Sequence, residues 1–471
     1  MKMIQKEKID LAHIVSLFKE ISGDQYVLTD PDDLYHYERD QTLNLNFNFD
    51  ILIKPASAQE ISNIVQLCNQ YSLPITPRGG GTGVTGGALP LEAGVVLSLE
   101  RLNKIIEINK TDSYVLAESG VITADLCESV EEHGLYFPIR PTSSFSSFIG
   151  GNVAENSGSI NSCKYGTTSR YVLNLEVVLP SGEIIWTGAN VSKNVTGLNL
   201  TQLFVGSEGI LGIVTKIVYQ LLPKPKSEVM LLAGFKSLED ACHAILEIKG
   251  SSVFPSGVEL ISLNAIQLTT AYMEKKLPLT DPDIQAQLLI SLQELSDAEM
   301  EHSLLTTSAI LEKYTERDVL VAETLPEKKA IAELRVNIGN ALTADHKYYR
   351  DIDACVPVSA LCDYVWGVEQ ICMESNIEVI SFGHAIDGNL HTNLVFDKKS
   401  GLVDPLILNE VLTRIYRFAI SKGGVISGEH GIGFLQKEFL PLQLSNSELN
   451  LMISIKNLID PNGIMNPGKI F

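Results

Sequence analysis

Pro77-Arg78-Gly79-Gly80-Gly81-Thr82-Gly83-Val84-Thr85-Gly86-Gly87 carries a G-x-G-x-x-G spacing from Gly81 to Gly86. In a doubly wound nucleotide-binding sheet that spacing follows a strand and opens a helix, whose N-terminus receives the pyrophosphate. Here Ala88-Leu89-Pro90 comes next, and the following periodic run, Gly94–Leu99, reads as a strand. No helix N-terminus is on offer, so any anion must be held differently. Six glycines between Gly79 and Gly87 let the backbone approach a ligand closely and present several N–H groups, and Arg78 adds a charge. Two further loops have the same character, Phe148-Ile-Gly150-Gly151-Asn152-Val-Ala-Glu-Asn156-Ser-Gly158 and Gly206-Ser-Glu-Gly209-Ile-Leu-Gly212-Ile213-Val214-Thr215. Singly, each reads as a tight turn or bulge. Three in one region point to one large nucleotide cofactor.

Around these loops the pattern alternates strands and helices. Leu11–Ile21 reads as a helix within an N-terminal segment, 1–45. Ile51–Pro55 is a short strand, and Ser57 with Glu60 forms a capping box before a helix whose stripe is Ile61, Ile64, Val65 and Cys68. Strand-like runs follow at 114–119, 174–179, 183–187 and 212–222, and the prolines of Leu222-Pro223-Lys-Pro225 mark a boundary. This divides the chain into a cofactor-binding region, 46–225, and a second α+β region, 226–471. The second region shows strand 229–235, helix 237–249, strand 257–261, helices Leu325–Thr343 and Val358–Asn376, and strand Ile377–Phe382. Asp404 caps an amphipathic helix, 404–422, with Pro405 at its first position and Gly423 at its end. Turn residues make the tail 456–471 too specific to be a loose end.

The 471 residues and 45% apolar content fit a soluble chain of two or three domains. A net charge of −21 argues against nucleic acid and anionic membrane surfaces as generic partners, so an anionic substrate needs locally placed arginines. We expect no secretory signal and no transmembrane helix. Seven scattered cysteines without a C-x-x-C pair suit a reduced, cytoplasmic protein and exclude a Cys-ligated iron–sulfur motif of the usual spacing.

Chemistry concentrates in His384-Ala-Ile-Asp387-Gly388-Asn389-Leu-His391 and Ser427-Gly-Glu429-His430-Gly431-Ile-Gly433. Asp-Gly is a strong hairpin signal. With Asp387-Gly388 as a two-residue turn, His384 faces His391, and Asn393 points to the same side. Two such histidines and the carboxylate of Glu429 suit a three-ligand divalent metal site, with His430 beside it as a base. The same residues also suit a hairpin whose histidines pack or hydrogen-bond. Zn²⁺ fits the ligand types, as do Mn²⁺ and Fe²⁺.

The glycine stretch, the Ile149–Gly158 loop, Lys164-Tyr-Gly166, Val177–Glu183, Leu203–Thr215, the histidine hairpin, Ile426–Gly433 and Met465-Asn466-Pro-Gly-Lys469 together resemble the FAD-linked D-2-hydroxy-acid dehydrogenases. That family includes glycolate oxidase FAD subunits, D-lactate dehydrogenases and D-2-hydroxyglutarate dehydrogenases. The resemblance runs from about residue 30 to the C-terminus. It implies an α+β fold: a two-part FAD-binding domain of the vanillyl-alcohol-oxidase type, then a substrate (cap) domain, with the tail 456–471 returning to the flavin. It implies FAD on Arg78, Gly79, Gly80, Gly81, Thr82 and Gly83, on Thr142 and Ser143 after Pro141, on Gly150, Gly151 and Asn152, and on Ile213, Val214 and Asn466. It implies metal on His384, His391 and Glu429, a catalytic base at His430, and substrate contacts from Arg335, Arg350 and Asn393. The chain departs from the family at Ser157-Gly158-Ser159, at Gly339 and at Asp351-Ile-Asp353 beside Arg350, which bears on the distal group of the substrate.

The resemblance implies oxidation of a small 2-hydroxy acid by hydride transfer to flavin. Electrons would then pass to a separate acceptor: a quinone, an electron-transfer flavoprotein, a cytochrome or an iron–sulfur subunit. Peripheral membrane association stays open. Two other readings are an FAD-bearing subunit of a larger oxidase complex, and a flavin oxidase of the same fold acting on a non-acid alcohol. Family members with tethered flavin carry a histidine in the first glycine loop, and none stands between Arg78 and Gly87, so FAD is expected to be non-covalent. Acid precipitation of the yellow protein should release FAD into the supernatant; flavin left in the pellet would contradict this.

Overall fold

The computed structural model describes residues 10–344, 348–396 and 404–471. The chain forms two compact units, one of Met1–Gly158, Thr167–Leu222 and Glu429–Phe471, the other of Ser159–Gly166 and Pro223–Gly428. Apart from the short excursion Ser159–Gly166, the chain passes from the first unit to the second at 222/223, close to the proline-marked 225/226. The C-terminal segment belongs to the first unit from Glu429 onward, well before residue 456.

In the first unit, β1 (Val27–Leu28), β2 (Ile51–Ile53), β3 (Ile75–Arg78) and β4 (Val95–Ser98) form a sheet in the order β1-β2-β4-β3, with β2 and β3 both parallel to β4. The helix Ala58–Tyr71 makes the crossover from β2 to β3. Ser57 caps it by accepting the Glu60 N–H at 3.1 Å, and it buries Ile61, Ile64, Val65 and Cys68 as its periodicity requires. No helix follows β3. The chain from Gly79 to Gly94 runs as turns into β4. A second sheet contains β5 (Ile105–Asn109), β6 (Tyr114–Glu118), β8 (Val172–Val178), β9 (Ile184–Trp186) and β10 (Ile213–Gln220), in the antiparallel order β5-β6-β10-β8-β9; β7 is Leu135–Tyr136 and β11 is Leu222–Pro223. The N-terminal helix Leu11–Ser22 sinks Ile14 and Phe18 into the core that holds Ile51, Ile64, Val95 and Met465. The C-terminal tail bonds to β3: Ile75 N–H reaches the Ile464 carbonyl, and Asn466 N–H the Ile75 carbonyl, both at 2.7 Å.

The second unit is a seven-stranded antiparallel sheet of β12 (Ser227–Phe235), β13 (Gly257–Ser262), β14 (Ala286–Glu294), β15 (Leu320–Ala322), β16 (Tyr348–Ile352), β17 (Glu378–His384) and β18 (Asn389–Phe396). Its order is β15-β12-β14-β13-β17-β18-β16. Paired residues of antiparallel strands share a face. Asp351 pairs with Asn393, Asn393 with Ile380, His391 with Phe382, His384 with Glu259, and Phe382 with Ile261. One face therefore carries Asp351, Asn393, His391, His384 and Glu259 beside an apolar patch of Ile261, Ile380, Phe382 and Val395. The helices Leu263–Met273 and Leu325–Thr343 cover that patch with Ala265, Ile266, Leu334, Ile338 and Leu342.

The hairpin differs from its sequence reading. Ala385–Asp387 forms a single 3₁₀ turn, Gly388 takes φ 78°, and His384 pairs with Asn389 instead of His391. The cause is a tertiary tie: Gly388 N–H closes on the Ala385 carbonyl at 3.0 Å, while the Gly388 carbonyl accepts the Val356 N–H at 2.9 Å. The register moves by two residues, an even number, so both histidines keep one face as diagonal neighbours with ring centroids 5.5 Å apart.

Two glycines test this backbone account in opposite directions. A Cβ on Gly388 would lie 1.8 Å from the Val356 carbonyl oxygen, in a left-handed conformation, whereas Gly339 lies within a helix with nothing near its Cβ position. Gly388→Ala should lower thermal stability by at least ~1–3 kcal/mol. Gly339→Ala should raise it by roughly 0.5–1 kcal/mol. Melting of both variants checks the pair; an unchanged Gly388→Ala would contradict it.

Candidate active site

In the first unit, three loops meet backbone to backbone. A Cβ on Gly79 would touch Gly151, one on Gly80 would strike the Ser146 carbonyl oxygen at 2.1 Å, and one on Gly150 would strike Ser119. Gly83 and Gly151 have nothing near their Cβ positions, so open space lies before them. The turn after Pro141 is held by the Ser143 carbonyl, which accepts N–H bonds from Ser146 and Ser147 at 2.9 and 2.8 Å. Asn152 is buried and gives its amide to Thr123 Oγ1 at 2.9 Å. Ile213 and Val214 open β10, where a register shift follows Val214. Asn466 donates to the carbonyls of Gly87 and Glu208 at 3.0 and 2.8 Å, leaving its buried Oδ1 without a partner among the described residues. Backbone crowded where side chains are excluded, open before two glycines and edged by a spare amide oxygen, is a cradle that fits a dinucleotide diphosphate.

Arg78 has a different geometry from a simple anion contact. It is buried, donates to the carbonyls of Arg39 at 2.7 Å and Tyr37 at 3.4 Å, and lies 5.5 Å over the Tyr37 ring. Burial pulls its pKa down, against the opposing pull of Asp40. Its guanidinium staples residues 37–40 to the glycine loop, which also bonds through the Gly83 carbonyl to Gln41 N–H at 3.1 Å.

The same glycine stretch holds the loop of His430. Thr85 Oγ1 donates to the His430 carbonyl at 3.1 Å, and the Thr85 carbonyl accepts N–H bonds from Phe434 and Leu435 at 2.9 and 3.1 Å. Glu208 completes the clamp, taking Ile432 N–H at 2.7 Å and Gly433 N–H at 2.6 Å. Glu155 lies against Gly431, whose added Cβ would meet Oε2 at 2.5 Å. Glu208 is buried, and Glu155 is half-buried with its Oε2 enclosed. Burial pushes Glu208 up to about 7 against its two backbone donors and Lys469. Burial, then the charges of Glu208 and Asp40, push Glu155 up well above the carboxylate range, with His430 pulling the other way. Both acids stand in loops whose glycines point to a cofactor, and the clamp on the His430 loop is an additional role for them. Their signal was a charged residue inside each of two glycine-rich turns.

In the second unit the central residue is one that sequence reading missed. Glu259 is fully buried on β13. Its Oε2 accepts Arg335 Nε at 2.5 Å, and its Oε1 pairs with His384 Nδ1. Burial alone would push its carboxyl up; the Arg335 charge and then the His384 ring outweigh this and hold it well below the usual range. Arg335 also lies 4.7 Å over the Phe382 ring. His391 Nδ1 stands 3.8 Å from Asp351. Asn393 is buried, and its Nδ2 has no partner among the described residues. Asp353 accepts Asn389 Nδ2 at 2.9 Å, Ser427 Oγ at 2.9 Å and Gly428 N–H at 3.0 Å, and so fixes the chain just before Glu429. Arg350 pairs with Leu394, on the opposite face from His391 and Asn393, and bonds Tyr416 there. The structure thus gathers His384, His391 and Asn393 on one face, where Arg335 reaches Glu259 from the helix Leu325–Thr343, and sets Arg350 on the other.

Glu208 gives a pH test. Its folded pKa of about 7 lies above the ordinary 4.5, so its stabilisation is complete below about 4.5 and is lost as pH rises through 7. Between pH 5 and 8 the wild type should lose melting temperature relative to Glu208→Gln. Parallel curves for the two proteins would contradict the burial argument.

Residues 49–188 match the family described as FAD binding domain, and residues 224–470 that described as FAD linked oxidases, C-terminal domain. The glycolate oxidase subunit GlcD of Bacillus subtilis is 36% identical over 436 residues, covering 92% of each chain. The D-lactate dehydrogenase of Anaerostipes hadrus is 33% identical over 465 residues, covering 97% of each. The 4-ethylphenol oxidase of Gulosibacter chungangensis, 18% identical, superposes with a TM-score of 0.78 over 98% of this chain and 97% of its own, which shows a shared vanillyl-alcohol-oxidase-type fold. With its diphosphate cradle in one unit and its cluster of histidines, arginine and acid in the other, the chain belongs to the FAD-linked oxidases and is an FAD-dependent oxidoreductase.

Proposed function

We propose that the protein oxidises a small 2-hydroxy acid, of the D-lactate, glycolate or D-2-hydroxyglutarate type, to the 2-oxo acid. The observation that carries this reading is the single sheet face of His384, His391, Asn393 and buried Glu259, which Arg335 reaches from the helix Leu325–Thr343. An acid substrate explains a guanidinium kept there. Relatives named glycolate oxidase subunit and D-lactate dehydrogenase agree with an acid substrate, and two same-face imidazoles suit a divalent metal.

The two histidines suit a metal by ligand type. Glu259 accepts from His384 Nδ1, which leaves Nε2 with its lone pair, and His391 is a diagonal neighbour on the same face. We assign the ion, Zn²⁺ by ligand type with Mn²⁺ and Fe²⁺ as alternatives, to His384, His391 and Glu429. We assign FAD, held without a covalent link, to Arg78–Gly83, Thr142–Ser143, Gly150–Asn152, Ile213–Val214 and Asn466. When bound, FAD supplies the hydride acceptor, and the metal supplies a Lewis acid for the hydroxyl oxygen. Arg335 pairs with the substrate carboxylate through the guanidinium nitrogens that Glu259 does not use. Asn393 Nδ2 donates to a substrate oxygen. His430 takes the hydroxyl proton on an imidazole nitrogen as the α-hydrogen leaves. Because Arg350 faces Tyr416, its contribution is to hold β16, and through it Asp351 and Asp353, rather than to touch substrate.

Electrons leave to a separate acceptor in the cytoplasm or at a membrane surface. No helix among the described residues is long and apolar enough to cross a membrane. The name of the GlcD relative, a subunit, favours as a second reading that this chain works within a larger oxidase.

The test is a panel of 2-hydroxy acids, sugars and aromatic alcohols with a redox dye. Turnover confined to hydroxy acids supports the proposal; turnover only with non-acid alcohols, or none at all, overturns it. Chelation should abolish turnover and leave FAD bound. His430→Ala should keep metal and FAD but slow anaerobic flavin bleaching by about 10²–10⁴-fold. Arg335→Ala should cut kcat/KM by roughly tenfold to a hundredfold or more, from the ~1.5–3 kcal/mol of a charge-assisted bond. Active enzyme without a divalent ion would show the ligand assignment to be wrong.

A further inference from the structure

We propose that Glu259 is a positioning residue that sets the tautomer of His384, and that Arg335 sets the orientation of Glu259. The inference rests on the reading of His384 as a metal ligand and Arg335 as the substrate's anchor. It assigns a role to a residue that touches neither ion nor substrate.

An ionised carboxylate only accepts, so His384 must carry its proton on Nδ1, where it meets Glu259 Oε1. Its Nε2 then presents a lone pair. Arg335 is always a donor, and its Nε occupies the other oxygen at 2.5 Å. Glu259 is fully buried, so water cannot replace either partner. The pairing holds in backbone terms as well, because Glu259 and His384 are register partners on adjacent strands. The one carboxylate therefore ties the arginine to the histidine. A histidine ligand whose outer nitrogen is held by a carboxylate is oriented and made more basic, which strengthens metal binding.

Amide substitution makes a sharp test. In Glu259→Gln the single carbonyl oxygen must face Arg335 Nε, because two facing donors are excluded. The amide NH₂ then faces His384 Nδ1, which must accept. The ring proton is driven to Nε2, the atom required for the metal. Removing the arginine reverses the constraint. In Glu259→Gln/Arg335→Met the amide can turn, offer its oxygen to Nδ1–H and restore the original tautomer. The double variant also leaves no unpaired guanidinium in the interior, so it guards against a fold defect in the single one.

The experiment is long-range ¹H–¹⁵N NMR of the metal-free flavoprotein labelled at its nine histidines, with His384 assigned from the spectrum of His384→Gln. Zn²⁺ affinity is measured alongside by competition with a chromophoric chelator. We expect Nδ1–H in the wild type, Nε2–H in Glu259→Gln and Nδ1–H again in the double variant, with Zn²⁺ affinity falling about 10–100-fold in the single variant. A tautomer unchanged by Glu259→Gln, or one that fails to revert in the double variant, would overturn the inference. If the tautomer follows this order but the wild type binds no Zn²⁺, the metal reading fails while the positioning role stands. If Zn²⁺ binds equally well to wild type and Glu259→Gln, the positioning role fails while the metal reading stands.

Discussion

A carboxylate with no solvent exposure survives as an anion only if fixed donors replace its water. Glu259 meets that condition with Arg335 on one oxygen and His384 on the other. The three residues come from a strand, a helix and the next strand, 76 and 125 positions from Glu259 along the chain. Their meeting fixes how the helix Leu325–Thr343 lies on the sheet, and the register of β13 against β17. From that register, alternation alone sends His384, His391, Asn393 and Asp351 to one side and Arg350 to the other.

The first unit answers a different constraint, the hydrogen bonding of a backbone with no helix to order it. The stretch after β3 is turns, and its polar groups are settled by remote partners: Gln41 on the Gly83 carbonyl, Asn466 on the Gly87 carbonyl, and the backbone of Phe434 and Leu435 on Thr85. Glu208 does the reverse, satisfying two N–H groups of the segment after His430. The glycine cradle and the His430 loop are therefore tied by hydrogen bonds into one connected piece of backbone. It includes two acids, Glu155 and Glu208, whose proton affinity desolvation has raised.

Much of this was legible in the residues. The crossover helix with its Ser57 cap, the helix Leu325–Thr343, and the absence of a helix after the glycine stretch all follow from local pattern. Local pattern failed where tertiary bonds decided. The Asp387-Gly388 turn widened because Gly388 is tied to Val356, and the shared face of the histidines survived only because the register moved by an even number. The strand β14 is buried almost throughout, so it shows no alternation to read. The helix Val358–Asn376 is in fact a 3₁₀ turn followed by Leu361–Glu374. Glu259 was invisible because nothing local marks a glutamate as ionised and buried; its partners are distant in sequence. Arg78 was legible as a charge, but its bonds to the carbonyls of Tyr37 and Arg39 depend on a chain segment 41 and 39 residues away.

The central claim is that the sheet face around Glu259 holds both metal and acid. A crystal of the flavoprotein with a bound 2-oxo acid, measured at and away from the absorption edge of the metal, tests it most directly. The account predicts an anomalous peak bonded to Nε2 of His384 and to His391, with the ligand carboxylate on Arg335. A peak elsewhere, or a carboxylate paired with Arg350 in place of Arg335, would contradict it.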